Sequence, residues 1–118
     1  MQEREDQHSK LSDKYLGDAE VLLKEGDYVQ ASEKFWGAAA LMVKTVAAGR
    51  GMEIGSHREI RTFVNSLRNE RGEPELSLLF SVAADLHRNF YEDWLPPETV
   101  ADYSQAAKEF IRRLQGGG

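Results

Sequence analysis

Residues 26–44 read GDYVQASEKFWGAAALMVK, and the placing of this stretch decides the fold. Gly26 stops a first helical pattern in which Leu11, Tyr15, Ala19 and Leu22 recur on one face, with Ser9 or Ser12 available as its N-cap. A second pattern runs from about 27 to 48 and sets Tyr28, Ala31, Phe35, Ala38, Met42 and Val46 on one side. At about 100° per residue Trp36 and Ala40 project from nearly the opposite side, so that the helix is apolar almost all round from Phe35 to Val43. A bundle this small is not expected to wrap one of its own helices completely, and the second face therefore predicts a partner, most simply an identical subunit. The competing reading packs Trp36 against a neighbouring helix or loop of the same chain. Glu33 and Lys44 share this face and are placed either to hydrogen-bond across a two-fold interface or to line a cleft.

Outward from this stretch the pattern stays helical. GRGMEIGS at 49–56 carries three glycines and reads as a loop, after which Ser56 and Glu59 form an S-x-x-E capping box. The third helix buries Ile60, Phe63, Val64 and Leu67; ERGEP turns the chain; a fourth, from about 75 to 92, aligns Leu76, Leu79, Phe80, Ala83, His87, Phe90 and Tyr91. Pro96 and Pro97 stop one helix and start the last, which buries Val100, Tyr103, Ala107, Phe110, Ile111 and Leu114. Short connections imply antiparallel neighbours, so the predicted fold is all-α, an antiparallel up-and-down bundle of four to five helices. Residues 1–8 are expected to form a flexible N-terminus, 9–115 a single domain, and 116–118 a flexible glycine tail.

Composition narrows the function. A chain of 118 residues buries about two-thirds of the surface of its unfolded form, enough for one core. No apolar run approaches the roughly 20 residues needed to cross a bilayer, and the charged N-terminus has no signal-peptide core, so a cytoplasmic location and no membrane contact are expected. With no cysteine there are no disulfides, thiolate metal sites or Cys nucleophile. A net charge of −5 argues against indiscriminate coating of nucleic acid; polyanion binding would need a local patch.

His87 stands on the apolar face of the fourth helix, one turn before Tyr91, and is expected to be buried or half-buried and hydrogen-bonded. A general-base role would need a partner within reach. Arg88, Asn89 and Glu92 point the other way, as a ligand-binding set or a solvated face. Arg58, Arg61 and Arg68 share a polar face of the third helix with Asn65, the one row of guanidinium groups suited to phosphates. The histidines, at 8, 57 and 87, are far apart in sequence and show no metal-ligand spacing, so no metal and no cofactor are expected, and His57 and His87 are not expected to meet. No glycine-rich phosphate loop is present.

Gly26, Asp27, Tyr28, Ala31, Phe35 and Ala38 have tetratricopeptide spacing, but no second copy follows, so this hairpin is a general packing solution. A wider match combines EK-x-W-x-AA and a later lysine (Glu33, Lys34, Trp36, Ala38, Ala39, Lys44), a glycine-containing loop leading to His57, and LH-x-NFYE (Leu86, His87, Asn89, Phe90, Tyr91, Glu92). Over about 10–114 the chain resembles the archaeal PaREP-type proteins of the HEPN-like superfamily. The resemblance implies a bundle of four or five helices, frequently dimeric, in a superfamily associated with nucleotides, RNA and toxin–antitoxin modules. Its ribonucleases carry an Arg, four to six intervening residues and then a late His; the window before His87 holds Phe80, Ser81 and Val82, and only Arg50 and His57 have the spacing, across a glycine-rich loop. The expected function is therefore a homodimeric binding module for a nucleotide or RNA. A ribonuclease using His87, or Arg50 with His57, is the second class, and a protein-interaction scaffold the third.

Overall fold

The computed structural model describes residues 2–116 and contains five helices: α1 (Gln2–Lys24), α2 (Tyr28–Gly49), α3 (His57–Arg71), α4 (Glu75–Glu92) and α5 (Pro97–Gly116). The all-α bundle is the one the hydrophobic pattern predicts. The termini differ from expectation: α1 is helical from Gln2 rather than from about Ser9, α5 takes in Gly116, and residues 117–118 lie outside the described residues.

Neither Ser9 nor Ser12 caps α1. Ser12 is buried and donates to the Ala38 carbonyl at 2.8 Å, a cross-helix bond in place of a terminal one. Gly26, at φ +82°, makes the turn, and the Asp27 carboxylate accepts from the Gln30 N–H at 3.2 Å to start α2. Ser12 beside Ala38, and Asp18 beside Lys34 at 3.9 Å, show that α1 and α2 are antiparallel. They approach closely enough that a Cβ at Gly37 would meet the Tyr15 ring at 2.8 Å.

The α3 capping box is complete: the Glu59 N–H donates to Ser56 Oγ at 3.0 Å, and Glu59 Oε1 accepts from the N–H groups of Ser56 and Gly55. These backbone bonds hold the Glu59 carboxyl below its ordinary pKa. A carboxyl depressed on folding stabilises the fold above its unfolded pKa, about 4.3, and loses that contribution as pH falls below it. Ser56→Ala is expected to lower stability by about 1 kcal/mol, read by urea denaturation, and to keep most of the acid-dependent loss, because the N–H groups of residues 55 and 56 still serve Glu59; an unchanged midpoint would refute the cap's contribution.

Strict up-and-down alternation is broken once. Pairings of Trp36 with His57 and of Arg50 with Glu70 show that α2 and α3 run in broadly the same sense, so that residues 50–56 travel back along α2 before α3 begins. α4 then reverses: Arg61 donates to Ser81 at 2.9 Å, while Arg68 donates to Ser77, which donates to Asn65 at 2.8 Å. α5 reverses again, with Phe80 against Phe110 and Glu75 against Arg113.

This path makes α2 the central helix, in contact with α1, α3, α4 and α5. It corrects the premise of the expected dimer. Trp36 is 7% exposed because its own chain covers it, through Phe80 at 5.5 Å and the rings of His57 and His87. Ala40 is likewise buried, so this face of α2 does not require a second copy. Small residues at 38, 39, 40, 47 and 48 are what allow four neighbours to close around one helix.

The inward face of α4 is rotated from its expected position. Leu76, Phe80, Ala83, Leu86 and Asn89 are buried, whereas Tyr91 is 70% exposed. On α5 the buried set is Val100, Ser104, Ala107, Phe110, Ile111 and Leu114; Tyr103 is half-buried.

Candidate functional site

Glu33, Trp36, Gly37, Ala40, Leu41 and Lys44 recur at three- and four-residue spacing and form one stripe along α2. This stripe floors a cleft of about 280 Å³, flanked by Leu11 and Tyr15 of α1 and by Gly55, His57 and Ile60 at the start of α3. Glu33 and Lys44 both line this cleft.

At the α3 end of the cleft the structure joins residues that the sequence gives no reason to connect. The His87 ring lies 5.0 Å from that of His57, nearly perpendicular, and stacks on Trp36 at 5.3 Å with a 28° interplanar angle. His87 Nδ1 is 2.8 Å from Glu33 Oε1. A carboxylate there favours the tautomer with its proton on Nδ1, which turns an acceptor nitrogen, Nε2, away from Glu33. His87 is 23% exposed, so it is a half-buried, hydrogen-bonded ring at the edge of a cleft. The expectation that His57 and His87 stay apart is thus overturned, because the backward path of residues 50–56 starts α3 level with Trp36.

Chemically the cluster unites a carboxylate-oriented imidazole, an exposed second imidazole and an indole, with a lysine further along the same cleft. Lys44 has no carboxylate partner among the described residues, and it lies near enough to His8 to help lower that ring's pKa, after the larger effect of burial. Among the described residues no group of three or more His, Asp or Glu side chains is arranged to hold a metal ion.

The remaining candidates lie elsewhere. Arg50 does not join His57: it pairs with Glu70 at 2.8 Å, lowering that carboxyl's pKa, lies over the Phe63 ring at 5.7 Å, and lines a different pocket. Arg61 lies over the Phe80 ring at 5.0 Å and holds Ser81; Arg68 holds Ser77 and Asn69. Two members of the basic row therefore tie α3 to α4, while Arg58 borders a groove with Met52, Ile54 and Phe63. Glu92 is paired with Arg88, whose guanidinium lies over Trp94.

Asn89 does not face a ligand; it is fully buried. Its Oδ1 accepts the N–H groups of Trp94 and Leu95 at 2.9 and 2.8 Å, and its Nδ2 donates to Ser32 Oγ at 3.0 Å. It shapes the corner between α4 and α5. Asp93 in that corner has φ +44°, a left-handed conformation that Asp tolerates better than most residues. The signal for this role in the sequence is the position of Asn89 four residues before a chain reversal that ends in Pro96 and Pro97.

A crystal structure of a protein from Sulfolobus solfataricus superimposes with a TM-score of 0.78 at 22% sequence identity, covering 88% of this chain and 92% of that one. At that identity the likeness speaks for the fold. No curated protein matches the chain. The model of the archaeal PaREP1/PaREP8 family matches residues 7–111, nearly the whole described chain, and the protein belongs to that family.

Proposed function

We infer that the protein is a small binding module of HEPN-like type whose α1/α2/α3 cleft takes a nucleotide or a segment of RNA. The observation that carries this reading is the meeting of Glu33, Trp36, His57 and His87 at one end of a cleft that also holds Lys44. The exposed His57 ring offers an aromatic contact to a base, imidazoles offer hydrogen bonds to ribose or phosphate, and the Lys44 ammonium, without a carboxylate partner among the described residues, offers charge to a phosphate. The HEPN-like assignment itself rests on the LH-x-NFYE and EK-x-W-x-AA resemblance, and the helical bundle agrees with it. A location in the cytoplasm belongs to the same proposal; no helix among the described residues is long and apolar enough to cross a membrane.

Titration with nucleotides and short single-stranded RNA at several salt concentrations tests the reading. Trp36 fluorescence in a Trp94→Phe background is the signal. Binding is expected to weaken as salt rises, and Lys44→Ala is expected to weaken it about tenfold and to flatten its salt dependence. Failure of every nucleotide and RNA to bind at low salt, or indifference to Lys44→Ala, would refute it.

The 5.0 Å His57–His87 separation also favours a second reading, in which the two rings act as base and acid on RNA. Gel analysis of the same RNA mixtures decides it: cleavage that disappears in both His57→Ala and His87→Ala supports the enzyme, and intact RNA excludes it.

A further inference from the structure

Two imidazoles, His57 lining the cleft and His87 at its edge, keep unused hydrogen-bonding capacity. His87 commits Nδ1 to Glu33, and no hydrogen bond engages its Nε2 or the His57 ring among the described residues. His57 is also the first residue of α3, where backbone N–H groups lack helical partners and the helix presents its positive end.

Positive charges on rings this close repel one another. The α3 N-terminus opposes a charge on His57 as well. An oxyanion seated against both rings offsets each of these repulsions and accepts N–H hydrogen bonds from both. With the rings neutral, Lys44 and Glu33 cancel; with both rings protonated the cleft is doubly positive.

We propose that His57 and His87 form an oxyanion site for a tetrahedral phosphate-type group, and that the site tightens as pH falls and the pair becomes imidazolium. It rests on the cleft being the ligand site and adds which ligand group is held, by which residues, and under what condition. The charged and titratable groups facing the pair are Glu33 from α2 and Tyr91 from α4, whose ring meets that of His87 edge-on at 5.3 Å. Lys44, about three turns beyond Glu33 on α2, supplies a permanent positive charge in the same cleft, with His8 of α1 beside it; Arg4 and Glu53 complete that end. Among the described residues Glu33 is the anion in contact with the pair, and its bond to Nδ1 directs it to the far side of the His87 ring from Nε2. A neutral ligand gains nothing from acid at this site, whereas a phosphate monoester gains two charge-assisted hydrogen bonds.

Sulfate is a suitable probe, because it stays a dianion across the range of about pH 5 to 8 in which histidine titrates. The whole chain is titrated with sulfate at fixed ionic strength near both ends of that range, and the histidine ring signals are followed by NMR. The expected result is that the signals of His57 and His87 move on sulfate addition at acid pH, with affinity at least about tenfold lower at the alkaline end, the equivalent of one pKa unit. His57→Gln, at an exposed helix start, is expected to keep the fold and lose most of the pH dependence; His87→Gln does the same from the other side of the site. Equal sulfate affinity at both pH values, unmoved ring signals, or acid-tightened binding that survives His57→Gln would overturn the proposal. A nucleoside without phosphate, titrated in parallel, separates this proposal from the cleft reading. Nucleoside binding without acid-tightened sulfate binding overturns the oxyanion site alone. Acid-tightened sulfate binding without any nucleoside, nucleotide or RNA binding upholds the site and overturns the nucleotide reading.

Discussion

Asn89→Ala is expected to destabilise the fold by about 3 kcal/mol, a large share of the 5–15 kcal/mol that holds a domain of this size together. The carboxamide is buried, and it serves two backbone N–H groups and one hydroxyl at once. Alanine leaves the Leu95 N–H, which is also buried, without an acceptor, and each such orphan costs about 1–3 kcal/mol. It also strips Ser32 of a donor, although Ser32 keeps its own bond to the Tyr28 carbonyl at 2.7 Å. Asn89→Asp is the sharper control. It retains the acceptor oxygens yet puts a negative charge in a fully buried site and loses the donor to Ser32, so it is expected to be no better than alanine at neutral pH and to recover as acid protonates it. Urea denaturation of the three proteins near pH 7 and pH 4 measures both effects. Wild-type stability in Asn89→Ala would show that the corner does not depend on this side chain.

Phe80→Ala is expected to cost about 4 kcal/mol, since removing a buried phenyl ring loses its transfer free energy and leaves a cavity. Phe80 is 2% exposed and touches Trp36 at 5.5 Å, Phe110 at 5.5 Å and the Arg61 guanidinium. It therefore joins α2, α3, α4 and α5 in one contact. The truncation should also reach the cleft, because Trp36 rests on Phe80 on one side and on His87 on the other. Phe80→Leu keeps most of the volume, and is expected to lose about 1 kcal/mol and leave Trp36 emission nearly unchanged, while Phe80→Ala shifts that emission to longer wavelength. Equal stability in the two variants would contradict the central packing role assigned to this ring.

The helices were legible because amphipathic spacing, the Gly26 turn, the Ser56–Glu59 box and the Pro96–Pro97 break are local signals. The buried set of α3 was legible in full, since only one stripe of that helix is apolar. On α4 the same reasoning misplaced Asn89 and Tyr91. Polarity predicts exposure for the first and aromaticity burial for the second, while the chain satisfies Asn89 with its own backbone and leaves Tyr91 at the rim. The basic row on α3 has the same lesson: spacing puts Arg61 and Arg68 on one face, but the serines of α4 decide what that face meets.

By itself the sequence determined five helices, the order in which they follow, and the α2 stripe that carries Glu33, Trp36, Ala40 and Lys44, because periodicity and caps act over three or four residues. Only the tertiary structure decided that Trp36 is covered by its own chain and that His57 meets His87 thirty positions away. Both follow from the direction in which residues 50–56 run. A loop's residues do not encode that direction; it is set by which packing of α3 buries Ile60, Phe63, Val64 and Leu67 against α2 and α4 at once.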